Sequence, residues 1–242
     1  MSKNRSAYDR WSDMYDADPN PHTAVEEEDV VDMVAAAPGE HILDAACGTG
    51  RYCRLFLTGG AHVVGVDFSE GMLRIARQKM PTVVFHCVDL TGILPFPDAS
   101  FDKVNCAQAL KHFADLTIPL TEFARVVKPS GTITFSVTHP EMDWEDYEMS
   151  CRPSFSLPAE SDIHHHRFWQ YLEAINRAGL RLSAFRQVPV GDKIRRYLTP
   201  ESYQKVKGRY QIAIFQAMKR NAVEPSPAPY GSCAAGSPSV EA

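Results

Sequence analysis

The sequence predicts an α/β protein built on an open, mostly parallel β-sheet with helices against its faces. Three stretches carry that expectation. Residues 41–57 (HILDAACGTGRYCRLFL) read as a short buried strand, a glycine turn and a helix that stops at Gly59-Gly60. Residues 62–67 (HVVGVD) form a second apolar run ending in an acid, after which Ser69-Glu70 opens a helix with Met72, Leu73, Ile75 and Ala76 at helical spacing. Residues 83–88 (VVFHCV) form a third run that ends in Asp89-Leu90. Short apolar runs alternating with helical segments are the pattern of parallel strands joined by crossover helices.

In chain order, the N-terminal segment repeats an aromatic–acid pair, Tyr8-Asp9 and Tyr15-Asp16. A helix sets Tyr8, Trp11 and Tyr15 along one face, which either docks on the core or closes over a ligand. The next helix is expected to start with a capping box, Thr23 to Glu26, and to end near Pro38-Gly39. The acid run Glu26–Asp29 then matches the helix dipole and is assigned no ligand. In the turn after the first strand, Gly48 and Gly50 allow positive φ and let backbone N–H groups approach a ligand unobstructed. A dinucleotide fingerprint needs a third glycine where this chain has Cys53, so the pyrophosphate seat is incomplete. Asp44, ahead of the glycines, suits a ligand presenting an ammonium at that end. Asp67, roughly 20 residues on, can accept both ribose hydroxyls in bidentate fashion, the plain alternative being a surface acid that caps a turn.

The segment LDAACGTG, residues 43–50, resembles the first motif of class I methyltransferases, which bind S-adenosylmethionine and release S-adenosylhomocysteine. It departs from the commonest form at Ala46, where a first glycine often stands; this narrows the turn slightly without closing it. Residues 96–113 (FPDASFDKVNCAQALKHF) and 122–137 (EFARVVKPSGTITFSV) resemble the later family motifs. They correspond to a fourth strand from about Phe101 to Ala107, a helix through Glu122 to Val127, and a Pro129-Ser130-Gly131 turn into a fifth strand. The resemblance covers residues 40–138 with the motifs in order. It implies a Rossmann-like fold: a seven-stranded, mostly parallel sheet, helices on both faces and an antiparallel last strand, with residues 179–185 and 210–215 as the closing antiparallel pair. It also implies an N-terminal helical lid over residues 1–39 and a methyltransferase domain over residues 40–220. Residues 139–166 form an insertion whose Tyr147, Met149, Phe155 and Leu157 suit an apolar substrate cover. The Pro-, Ser-, Ala- and Gly-rich residues 221–242 are expected to be a disordered tail.

Cofactor residues come from the same resemblance, and substrate residues from what the common fold does not explain. Asp44, Ala46, Gly48, Gly50, Asp67, Phe68 and Met72 are expected around the cofactor, with Asp89 meeting the adenine amino group and Leu90 supplying a backbone N–H or an apolar wall. Cys106 and Gln108 close the fourth strand, and Tyr8 and Tyr15 lie on a lid whose tyrosine sits near the methionine end. Trp11, Lys111, His139, Trp144 and His165 are the expected substrate contacts. A lysine at 111 is unusual where the family more often has histidine or an aromatic, and its plain alternative is a solvated helix residue. His139 follows the fifth strand at the sheet edge where ligands bind, and with His112 is a candidate to remove a proton. His164, His165 and His166 cannot all face one site if extended, because neighbours point to opposite faces; a polar cluster at a helix entry is the alternative.

At 242 residues, with 44% hydrophobic and 23% charged residues, the chain fits one large globular domain. A formal net charge of −5 gives no basic footprint for nucleic acid. No signal-peptide core and no bilayer-spanning run is present, so cytoplasmic residence without membrane association is expected. The six cysteines, at 47, 53, 87, 106, 151 and 233, show no CxxC or paired spacing, and no metal is assigned. The expected reaction is displacement of the sulfonium methyl onto an O, N or C nucleophile of a small molecule, a secondary metabolite or quinone-like compound. A homodimer is a possible assembly. A catalytically silent, cofactor-binding scaffold and a nicotinamide oxidoreductase are the competing readings.

Overall fold

The computed structural model describes residues 2–17, 21–141 and 162–220. Trp144, Tyr147, Met149, Phe155, Leu157 and the expected tail lie outside them. Seven strands are formed: β1 (His41–Ala45), β2 (His62–Asp67), β3 (Val84–Cys87), β4 (Phe101–Ala107), β5 (Val127–Thr138), β6 (Leu180–Pro189) and β7 (Tyr210–Lys219). They make one sheet in the order β3-β2-β1-β4-β5-β7-β6. The strands β3, β2, β1, β4 and β5 are parallel, and β7 runs antiparallel to both β5 and β6.

Both faces of the sheet are buried, which explains the unbroken apolar runs. Consecutive residues feed opposite cores: Ile42 packs with α2 (Pro21–Val34), α3 (Arg51–Thr58) and α4 (Glu70–Lys79), whereas Leu43 packs with α5 (Thr117–Val126) and α6 (Phe168–Arg177). The strand order reverses between β1 and β4, so the loops leaving those two strands diverge and open a crevice at their carboxyl ends. A short α7 (Pro200–Val206) completes the α2–α3 side.

Three boundaries differ from expectation. Helix α2 begins at Pro21, whose fixed φ favours a helix start, and ends at Val34, after which Ala35 turns left-handed at φ 48°. Thr23 is therefore inside the helix rather than its cap. Helix α5 begins at Thr117, ahead of Glu122, because Pro119, Leu120 and Phe123 already face the core. The 129–131 segment lies within β5, where a register shift between Phe101 and Lys103 absorbs it.

The first helix, α1 (Ser2–Tyr15), lies on α4. Asp9 accepts hydrogen bonds from Ser69 Oγ (2.6 Å) and Gly71 N (2.9 Å), which caps the start of α4 from outside its own sequence. The two helices meet closely at Gly71, where a Cβ would stand 2.9 Å from Ser12 Oγ and 3.0 Å from the Asp9 backbone.

Candidate active site

The chain leaves β1 through Ala46 (φ 56°), Gly48 (φ 54°) and Gly50 (φ 82°) before entering α3. Across the crevice it leaves β4 through Gln108, also left-handed at φ 56°. Two side-chain-bearing residues in this region, one on each side of the strand-order reversal, hold backbone strain of roughly 1–3 kcal/mol each where the cavity opens. Gln108 is held there by N–H donation to Ser136 O at 2.9 Å.

Two buried acids face this turn. Asp67 Oδ2 accepts from Gly48 N (2.8 Å) and Oδ1 from Ser69 N (2.9 Å), and the Phe68 N–H is also bonded to the carboxylate, so the backbone aims it. Asp44 stands opposite Asn105 in the β1–β4 register; its Oδ1 accepts from Asn105 Nδ2 (2.8 Å) and its Oδ2 from Cys53 Sγ (3.1 Å). Burial pushes both carboxyls up to about 6 against the opposing hydrogen bonds. The residue replacing the third glycine of a dinucleotide turn thus has its thiol on Asp44.

A cavity of about 860 Å³, including its open mouth, joins these acids to the end of β4. Tyr8, Trp11 and Tyr15 of α1 close one side, with ring centroids 5.8 Å and 4.8 Å apart in sequence. Tyr8 OH is 2.9 Å from His112 Nε2, and His112 Nδ1 is 3.0 Å from Asp162 O. Burial and the nearby Lys111 charge lower the His112 pKa to about 4. Lys111 is buried in the wall, not solvated, and desolvation lowers its ammonium to about 8.

Ala46, Gly48, Asp44, Asp67, Phe68, Met72 and Gln108 also line this cavity, while Gly50 stands behind them as the N-cap of α3. Leu90 lines an adjoining apolar pocket with Phe68, Ala109 and Phe113. Asp89 is not in either wall: its Oδ1 accepts from Thr91 N (2.9 Å) and Thr91 Oγ1 (2.7 Å). Cys106 is fully buried in β4 and lines neither pocket, whereas the half-buried Ala107 and Gln108 that follow it line the cavity. His165 is exposed, whereas His166 is the buried member of the trio, its Nε2 2.7 Å from Phe113 O.

His139 does not reach the cavity wall. Its N–H donates to Gln211 O, its Nε2 lies 2.8 Å from Gln187 Nε2, and its ring stacks on Tyr210. The reason is topological: β5 ends beside β7, a strand removed from the β1–β4 crevice.

The sequence reading missed Glu26. It is fully buried, lines the cavity, and accepts from Tyr52 OH (3.0 Å) and Gln108 Nε2 (2.7 Å). Burial raises its pKa despite those bonds. The signal was its spacing: Glu26, Val30, Met33 and Val34 share one helical stripe, and an acid on an apolar stripe is an exception that asks for a partner.

The residues fit S-adenosylmethionine. Asp67 presents a backbone-aimed carboxylate suited to ribose hydroxyls, Asp44 is a buried acid suited to an ammonium, and the pocket beside Phe68 and Leu90 is almost wholly apolar. No cluster able to hold a metal ion occurs among the described residues, and none of their helices is long and apolar enough to cross a membrane.

Residues 43–135 match the family described as a methyltransferase domain. The chain is 34% identical over 139 residues to a demethylmenaquinone methyltransferase of Renibacterium salmoninarum, covering 55% of this chain and 58% of that protein. It is 35% identical over 131 residues to a malonyl-(acyl-carrier protein) O-methyltransferase of Serratia marcescens, covering 54% and 51%. The chain thus spans about half the length of the curated relatives it matches. A crystal structure of an S-adenosylmethionine-dependent methyltransferase from Mesorhizobium loti superimposes with TM-score 0.66 at 25% identity, covering 82% of this chain and 99% of that one.

Proposed function

We propose that the chain is a class I S-adenosylmethionine-dependent methyltransferase, with S-adenosylmethionine as cofactor, and that it methylates a small molecule admitted beneath α1. One observation carries the reading: a single cavity joins the cofactor-type turn and acids to the Gln108–His112 wall. In the proposed arrangement Asp67 takes the ribose hydroxyls, Asp44 takes the ammonium, and Phe68 and Leu90 flank the base. The bound cofactor supplies an electrophilic methyl and a neutral thioether leaving group. What is left to the protein is alignment and exclusion of water. Trp11 and Tyr15 on α1 contribute an apolar cover, and Tyr8 holds that cover to the sheet through His112.

His112 is assigned a positioning role. Both ring nitrogens are already engaged and burial keeps the ring neutral, so it serves the lid better than it would accept a proton. The acceptor class is drawn from the relatives, whose names include demethylmenaquinone and malonyl-(acyl-carrier protein); a small-molecule acceptor is the reading that the first of these supports. The test is incubation with trideuteromethyl-labelled cofactor and a fractionated metabolite extract. A product carrying the label, absent without protein, supports the proposal; no labelled small molecule, with the protein shown to bind S-adenosylhomocysteine, would overturn it.

A further inference from the structure

Two buried charges in the cavity wall are used by nothing that holds the cofactor, and the role assigned to them below the lid rests on the methyl-transfer reading. Lys111 is 7% exposed, and its ammonium has no hydrogen-bonded or ion-paired partner among the described residues. The other cation of the wall, Arg51, is already paired with Glu27 at 3.0 Å. Glu26 is fully buried; Tyr52 and Gln108 donate to its two oxygens and Ser136 adds a third side-chain hydrogen bond, which leaves one of the carboxylate's four lone pairs open. Gln108 is itself braced by Thr138 Oγ1 at 3.4 Å, so the sheet fixes how Glu26 is presented. Of the other titratable groups of the wall, Tyr8 is bonded to His112, His112 to Asp162, Asp44 to Asn105 and Cys53, Asp67 to Gly48 and Ser69, and Cys47 to Gly48, while Tyr15 packs edge-on against Trp11.

A buried ammonium without a partner is costly, and so is any excess charge brought beside it. Lys111 and Glu26 sum to zero, while Asp44 and Asp67 already place negative charge in the same cavity. A neutral acceptor keeps that balance, whereas one entering as an anion adds to the negative charge. Moving a proton within the site costs no net charge.

We propose that the acceptor is a neutral molecule with an acidified hydroxyl, a phenol or enol, whose proton passes to Glu26 while Lys111 holds the oxyanion that results. The O–H bond breaks with its electron pair left on oxygen, and the proton joins a free lone pair of the Glu26 carboxylate. That oxygen, or the carbon conjugated to it, then bonds to the methyl as the methyl–sulfur bond breaks and its pair stays on sulfur. Glu26 returns its proton to solvent once the product leaves.

The test uses 4-nitrophenol, a chromophoric phenol whose ionised form absorbs at longer wavelength, added to protein saturated with S-adenosylhomocysteine. In the wild type the phenolate-to-phenol ratio of bound probe should rise about tenfold or more over free probe at the same pH, one pKa unit. Calorimetry in buffers of different ionisation enthalpy should find little proton release, because Glu26 keeps the proton. Glu26→Gln should still bind phenolate but release about one proton for each. Lys111→Met, a near-isosteric change, should lose the phenolate signal while binding S-adenosylhomocysteine as the wild type does. A probe that stays outside, binds as phenol, ionises equally in Lys111→Met, or releases its full proton in the wild type overturns the proposal. Failure of the wild type to bind S-adenosylhomocysteine instead overturns the methyl-transfer reading beneath it.

Discussion

In the proposed arrangement Asp67 and Asp44 carry cofactor recognition. If Asp67 takes the ribose, Asp67→Ala should weaken S-adenosylhomocysteine binding at least about tenfold, the size expected for lost charge-assisted hydrogen bonds. Equal affinity in a variant with a native circular dichroism spectrum would contradict that role. Both carboxyls sit near 6 in the folded protein against an ordinary value of 3.8. A carboxyl raised on folding binds more protons in the native state than in the unfolded chain, so its contribution to stability is present at acid pH and falls as pH rises through that interval. The ligand's ammonium and hydroxyl groups favour the ionised forms. Binding of S-adenosylhomocysteine should therefore strengthen as pH rises through about 6 and release protons there, levelling above about 7. Calorimetric affinities that stay flat or fall across that range would contradict it. These two acids were legible because each ends an apolar run, whereas Glu26 was not: an acid early in a helix also satisfies the helix dipole, and only its buried partners choose between the readings.

Among elements, α1 is the one whose attachment can be loosened without touching the sheet. Its contacts with α4 are polar and local, centred on Asp9 and the close approach at Gly71. Gly71→Ala would drive a Cβ to 2.9 Å from Ser12 Oγ, so faster hydrogen exchange is expected along α1 with the β1 and β4 amides unchanged. Asp9→Ala should do the same and cost about 1–2 kcal/mol of helix docking. Uniform loss of protection across the sheet would mean that α1 is part of the core rather than a cover. Element existence was readable from periodicity, since β1, α3, β2 and α4 fall where their apolar spacing put them. The place of His139 was not, because a strand's carboxyl end faces the crevice only if that strand borders the order reversal. Lateral order in a sheet is set by pairing, which local spacing does not encode.

For the whole molecule, the sheet order and the motifs across 43–135 support one another: the reversal between β1 and β4 puts the turn of one motif and the strand end of another on a common cavity. The acceptor end was the least legible part, since it combines α1, α2 and the β4 loop, which meet only in the fold. Ligand binding to the native state should raise global stability by about 2.7 kcal/mol at a hundred times the dissociation constant, read as an upward shift of thermal unfolding. The cofactor assignment, on which the reaction depends, is best checked by a pair of calorimetric titrations of the intact chain, one with S-adenosylhomocysteine and one with NAD. A saturable one-site isotherm for S-adenosylhomocysteine and no saturable binding of NAD is the expected result; preferential binding of NAD would contradict the assignment and the reaction built on it.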